Sequence, residues 1–383
     1  MIPDSSTTPT QKPPRIVDLF AGPGGLDVAA RWLGIPVVGI EWDENACATR
    51  EAANIKTKQG DVREFRPKHF ADATVLTGGP PCQTYTVAGS GTGRKALDEV
   101  LRCVTLMAKG ESVGKELSSQ DDPRTGLVLE PLRWALEAHG AGDPYEAIVL
   151  EQVPTVLPVW NAMAGVLREI GYYTACGVLH TEEFGVPQTR RRAILIARLG
   201  VQPVLPEATH RRYYKGVART EWRTEEERKR PPWKTMADAI DRSERFVVIS
   251  NYGTGGDPKL RGRRTKDEPA ATVTGKISRN RLVSANDDQI EYARFTNAEA
   301  GRLQTFPMDF PWKGSDVAQQ IGNAIPPRLA AHVLGAALGI PLKVEAADAL
   351  VATRWRHTIR RVRLDRRLSN GSRAHRRVAG ESL

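Results

Sequence analysis

The chain has few cysteines and none close together: Cys47, Cys82, Cys103 and Cys176 stand far apart, with no Cys-x-x-Cys pair. That spacing argues against a zinc knuckle, a dithiol redox couple or a disulfide scaffold. No uncharged apolar run approaches the roughly 18 residues of a membrane span. The best stretch, Leu329 to Leu342, carries His332 and Pro341. Residues 1–14 are polar and lack the apolar segment of a secretion signal, so a disordered N-terminal tail is expected there. Gly-x-x-x-x-Gly-Lys-Ser/Thr is missing as well, which disfavours a P-loop nucleotidase. These absences lead us to expect a soluble, cytoplasmic protein with no metal and no membrane contact.

What is present is enough for a core. The chain has 383 residues, 40% hydrophobic and 26% charged, which fits one large domain with a smaller one inserted or appended. The net charge of +10 is uneven: residues 1–197 sum to −4, 198–291 to +6, 292–353 to zero and 354–383 to +8. A basic excess confined to a middle segment and a tail suggests a polyanionic partner. For the arginine-rich tail alone, a solvated extension is an equally good reading.

Residues 15–197 alternate apolar runs with helical patterns. Strands are expected at 16–20, 36–40, 73–77, 147–150 and 193–197, a helix over Leu26 to Leu33, and a second one capped by Asp43. This predicts an α/β fold, a doubly wound parallel sheet with ligands at the carboxyl ends of its strands. Residues 88–126 break the rhythm with Gly, Ser, Lys and Asp, leaving a helix around 95–108 between mobile loops. From 198 to 291 the rhythm is lost, and a second domain is expected there. No apolar period is evident after about 345.

The first strand runs into Phe20-Ala21-Gly22-Pro23-Gly24-Gly25, a turn that lets backbone lie against a ligand. Glu41 ends the second strand, nineteen residues after Gly22, where a carboxylate can accept from both ribose hydroxyls. Trp42 can stack on adenine or fill core, and Asp61 in Gly60-Asp61-Val62 can accept from the adenine amine. Together these favour an adenosine-type cofactor.

Three further groups fall on the same rim. Cys82 follows a strand and Pro80-Pro81, and a thiolate there is a strong nucleophile once its pKa is lowered. Glu151 follows the apolar run 147–150. Arg190 and Arg192 share one face of an extended segment, with Arg191 on the other. An electron-poor pyrimidine suits this set. Sulfur attacks carbon 6, the carboxyl bonds ring nitrogen 3 and the exocyclic amine, an arginine holds the ring carbonyl, and carbon 5 takes an electrophile.

With these residues in order, the chain resembles the DNA (cytosine-5)-methyltransferases, over roughly 15–345. The resemblance rests on Asp18-Leu19-Phe20-Ala21-Gly22-Pro23-Gly24-Gly25, Glu41-Trp42, Asp61, Gly79-Pro80-Pro81-Cys82-Gln83, Gln188-Thr189-Arg190-Arg191-Arg192, Glu299 to Pro307, and Gln320-Ile321-Gly322-Asn323-Ala324-Ile325-Pro326-Pro327. It implies S-adenosyl-L-methionine as cofactor, held by Asp18, Phe20, Gly22, Gly24, Gly25, Leu26, Glu41, Trp42, Asp61, Val62, Pro80 and Asn323. It implies Cys82 as covalent nucleophile, Glu151 as activator of the cytosine, Arg192 on its carbonyl and Arg190 in support. Base flipping from double-stranded DNA follows from the chemistry. The catalytic domain would combine 15–197 with 292–345, a mostly irregular or β target-recognition domain would occupy 198–291, and 346–383 would be a basic tail.

Candidate DNA contacts are Gln83, Arg94 and Lys95 near the nucleophile, then Arg211, Arg212, Lys215, Arg261, Arg263 and Arg264. The resemblance also implies a monomer, with a restriction endonuclease as a possible companion, although a phage or orphan gene would serve equally. Two departures stand out: Glu151-Gln152-Val153 where the family has Glu-Asn-Val, and Thr86 where Ser is usual. An RNA cytosine methyltransferase and a catalytically silent DNA-binding regulator remain open readings. So does a nicotinamide dehydrogenase, which leaves Cys82 and the arginines unexplained.

Overall fold

Short apolar runs flanked by glycine, proline or acid build the large sheet of this computed structural model, which describes residues 12–81, 91–114, 116, 124–250 and 262–357. Cys82, Gln83, Thr86, Arg261, the side chain of Arg94 and the tail beyond His357 lie outside the described residues. The strands are β1 (Ile16–Leu19), β2 (Val37–Glu41), β3 (Thr57–Gln59), β4 (Val75–Gly78), β5 (Ala147–Gln152), β6 (Tyr172–His180) and β7 (Arg191–Leu199). Their order is β3-β2-β1-β4-β5-β7-β6. The first five are parallel, whereas β7 runs antiparallel to both β5 and β6.

The helices of this body are α1 (Gly25–Trp32), α2 (Glu44–Ala52), α3 (Gly91–Ala108), α4 (Glu130–Gly140) and α5 (Leu157–Glu169). Asp43 caps α2, its side chain accepting from the Ala46 amide at 2.8 Å. One sheet face packs against α3, α4 and α5, with Trp134 and Trp160 fully buried. Truncating either to alanine would cost about 3–5 kcal/mol. The other face takes α1 and a late helix described below.

Residues 198–291 are ordered differently. After a short helix α6 (Glu225–Arg228), strands β8 (Phe246–Ile249), β9 (Arg263–Thr265), β10 (Arg281–Ser284) and β11 (Glu291–Tyr292) form an antiparallel sheet in the order β11-β10-β8-β9. The chain then returns through α7 (Asn297–Leu303), α8 (Val317–Asn323), α9 (Pro327–Leu338) and α10 (Val344–Ala352). Helix α9 packs along α1 over the second sheet face, with Leu329, Val333 and Leu334 buried beside Leu26 and Ala29. The expected tail boundary at 346 needs correction. Helix α10 follows directly, and Trp355 is buried against Phe310, its indole nitrogen donating to the Ala53 carbonyl at 3.1 Å. The body therefore extends to at least residue 355. No helix among the described residues is long and apolar enough to cross a membrane.

Candidate active site

The parallel strands β1, β2, β4 and β5 all end at one rim, and that rim holds a cavity of about 560 Å³. Asp18 and Phe20 form its base, Gly22, Gly25 and Leu26 one wall, and Glu41, Trp42, Asp61 and Val62 another. Glu151, Arg192 and Asn323 close the far side. Twelve of the sequence-derived site residues thus share one space.

Local backbone explains the glycines. Gly24 has φ of 104° at the helix N-cap, and it faces inward toward Ile55 and Asp27 without lining the cavity. A Cβ at Gly25 would lie 2.3 Å from the Ile325 carbonyl oxygen, so only glycine lets α1 meet the segment before α9. Phe20 takes a positive φ of 58°, a strained conformation for a bulky residue.

Glu41 is held firmly. Its Oε2 accepts from the Gly22 amide at 2.7 Å, and Oε1 accepts from the Trp42 and Asp43 amides at 2.9 and 2.8 Å. Oε2 retains a second lone pair for a ligand, whereas Oε1 is filled by its two amides. Trp42 is 63% exposed, so it is not core filling and presents a free ring at the rim. Asp61 is gripped by Arg63, whose side chain holds its carboxyl below the usual range. An adenine contact there would share Asp61 with that arginine. Burial pushes the Asp18 carboxyl up to about 7, with repulsion from Asp27 added, while the Thr77 hydroxyl donates to it at 2.6 Å.

The loop is braced from behind by Arg50, an unforeseen residue. Its fully buried guanidinium pairs with Asp27 at 2.8 and 2.9 Å and also donates to the Gly22 carbonyl at 3.3 Å. Removing one member of such a pair costs about 3–5 kcal/mol. The partners lie 23 positions apart, so no local pattern announces them.

At the reacting end, Arg192 Nε lies 2.6 Å from Glu151 Oε1. Glu151 Oε2 sits beside Gly79, 3.5 Å from where a Cβ would be, three residues before Cys82. Pro80 does not line the cavity, whereas Pro81 does. The Pro80 carbonyl instead accepts from the Gln152 side-chain amide, and Gln152 Oε1 accepts from the Val153 amide at 2.6 Å. The longer amide at 152 therefore tethers the turn leading to Cys82. Arg190 is buried outside the cavity and donates to the carbonyls of Val273, Gly322 and Ala324 at 2.9, 3.0 and 3.2 Å. It is a positioning residue that joins the lobe formed by 198–291 to the segment carrying Asn323. Gln188, wholly buried, does the same through Leu303, Gln304 and Val273.

The DNA candidates divide. Arg212, Lys215 and Arg264 line a second groove, and Lys95 is exposed on α3. Arg263 is neutralised by Asp288 at 2.7 Å. The expectation for Arg211 is corrected: it is 8% exposed and holds the Glu221 carbonyl at 2.7 Å, so it faces no phosphate. Sequence reasoning missed Arg63, Arg124, Asp316 and Gln319 in the cavity wall. Arg63, one residue after Gly60-Asp61-Val62, and Gln319, one residue before the Gln320 to Pro327 run, had a neighbouring signal.

A doubly wound α/β body with a rim cavity and a second lobe returning its chain to that cavity defines the class. The chain belongs to the C-5 cytosine-specific DNA methylase family, whose model matches residues 14–106 and 112–338, and it is a DNA (cytosine-5)-methyltransferase. It is similar to the type II methyltransferase M1.HphI of Haemophilus parahaemolyticus, 26% identical over 364 residues, which cover 84% of this chain and 86% of that one. With M.NgoPII of Neisseria gonorrhoeae it shares 24% over 365 residues, covering 87% and 97%. The fold matches the crystal structure of S. pombe Dnmt2 with a TM-score of 0.57 at 20% identity, over 85% of this chain and 98% of that one.

Proposed function

We propose that the chain methylates carbon 5 of a cytosine flipped out of duplex DNA, using S-adenosyl-L-methionine and a covalent Cys82 adduct. The observation that carries this is the Glu151–Arg192 pair, 2.6 Å apart, inside the same cavity as Glu41 and Trp42. The cavity fits the cofactor. Glu41 offers the ribose an anchored Oε2 with a lone pair to spare, Trp42 offers adenine a free face, and a Cβ at Gly22 would meet nothing within 4 Å, leaving open backbone for the rest. When bound, the cofactor supplies an electrophilic methyl group.

The protein groups do the rest. Cys82 sulfur bonds to carbon 6 and the ring electron pair moves to carbon 5. Glu151 hydrogen-bonds nitrogen 3 and the exocyclic amine, and Arg192 holds the ring carbonyl, so developing negative charge is stabilised. After methylation the carbon 5 proton leaves to base, the double bond re-forms and the thiolate departs. The other cysteines are poor rivals. Burial pushes Cys47 and Cys176 up to about 11 and raises Cys103 as well. Relatives named type II methyltransferases support a place in a restriction-modification system, with a cognate endonuclease.

A 5-fluorocytosine duplex tests this, because fluorine cannot leave carbon 5 as a proton does. With cofactor, wild-type protein should form an adduct stable on a denaturing gel, and Cys82→Ala should form none. An adduct in Cys82→Ala would overturn the assignment. Glu151→Ala should lose at least about 10²-fold in kcat with cofactor affinity intact. Bisulfite sequencing of DNA from expressing cells reads activity and target sequence together.

A further inference from the structure

A second groove, of about 390 Å³, opens where the β6–β7 end of the large sheet meets residues 212–215 and β9. Arg191, Arg212 and Lys215 line it, and none of the three forms a salt bridge among the described residues. Several other cations of residues 198–291 are paired. Arg219 pairs with Asp238, Arg242 with Glu299, Arg263 with Asp288 and Arg281 with Glu291. Even Arg264, which enters the groove stacked 4.3 Å over the Tyr213 ring, has Glu268 at 3.6 Å. The groove therefore brings together three cations that no carboxylate among the described residues compensates and a fourth that is only partly compensated.

At the floor lies one carboxyl. Glu182 is 3% exposed, and its Oε2 has no hydrogen-bond partner among the described residues. The groove is also one residue away from the reacting cavity: Arg191 enters the groove and Arg192 the cavity, on opposite faces of β7.

We propose that this groove grips a backbone phosphate of the DNA, and that Glu182 must be neutral for the grip to be tight. The proposal rests on the DNA reading above and adds to it a site and a proton linkage. An ionised carboxylate at the floor would cancel one cation and repel the phosphate directly. Burial pushes Glu182 up to about 7; Glu183 beside it pushes the same way, while its own amide, the Arg190 amide and Arg212 oppose. His180, with Nδ1 3.7 Å from Glu182 Oε1, does not compensate: burial, Arg212 and Arg191 push it down to about 4, so it is neutral near pH 7. A phosphate in the groove would raise the Glu182 proton affinity further, so binding takes up a proton near neutral pH.

The experiment measures anisotropy of a labelled duplex bound to the full-length protein, at pH 6.0 to 8.5 and several salt concentrations. Methyl transfer and cofactor binding are followed alongside. Wild-type affinity should weaken several-fold as pH rises through about 7. The Arg191→Ala/Arg212→Ala variant should bind more weakly, with a salt slope smaller by about one. Glu182→Gln should bind at the low-pH strength across the whole range. A wild-type protein that neither binds nor methylates DNA would sink the functional reading itself. Wild-type binding with an unchanged slope in the double variant, at normal cofactor affinity, would overturn the phosphate site. A Glu182→Gln variant that keeps the full pH dependence would overturn the role of Glu182.

Discussion

At the residue scale, chemistry depends on small supports beside the reacting groups. Gln152 contributes no group to the reaction, yet its amide holds the Pro80 carbonyl two residues before Cys82. Gln152→Ala should lower kcat about tenfold, leave cofactor affinity nearly unchanged, and be partly rescued by Asn. Single-turnover methyl transfer separates this from general destabilisation, which would shift the melting temperature as well. Glu151, Glu41 and Trp42 were readable in the sequence because each follows a recognisable strand, and Arg192 because it leads into one. Arg50, the joining role of Gln188 and the second groove were not. The partners of Arg50 and Gln188 lie 23, 85 and 115 residues or more away, and only the fold reveals them.

At the element scale, the alternating pattern located β1, β2, β4, β5 and β7. It missed β3, a polar three-residue edge strand, and β6, whose half-buried residues include Thr174, Cys176 and Gly177 and form no apolar run. Missing β6 hid the reversal of β7. That reversal is functional, because it brings the start of β7, where Arg192 lies, to the rim where β5 ends in Glu151. The contact of α1 with the segment before α9 gives a prediction. Gly25→Val must push Ile325 away, and it should cost about 1–3 kcal/mol and weaken cofactor binding at least tenfold. Calorimetric titration with S-adenosyl-L-homocysteine, alongside thermal melts, would check both effects.

At the scale of the whole molecule, the body is closed by its own late segment, and the junction is sensitive to acid. His210 and His332 are 1% and 6% exposed where α9, α10 and the recognition lobe meet. Burial pushes them down to about 3 and about 4, with Arg328 adding to both shifts. Both are neutral when folded and bind protons more readily when unfolded. Their contribution to stability is full above about 6.5 and is lost as pH falls toward 4. Each removes on the order of 3 kcal/mol once fully titrated. Chemical denaturation should show stability falling steeply from pH 6.5 to 4.5, and His332→Phe should flatten that slope.

The seam between the two lobes has a lopsided construction. Around Gln188 and Arg190 it uses main-chain atoms of Ala270 and Val273 plus the Thr272 hydroxyl, while Arg242 with Glu299 and Lys234 with Asp348 close it through side chains. At 270–273 the seam therefore asks for a backbone shape and one small alcohol. The Gln188 and Arg190 contacts would therefore survive side-chain changes across residues 198–291 that keep this backbone path.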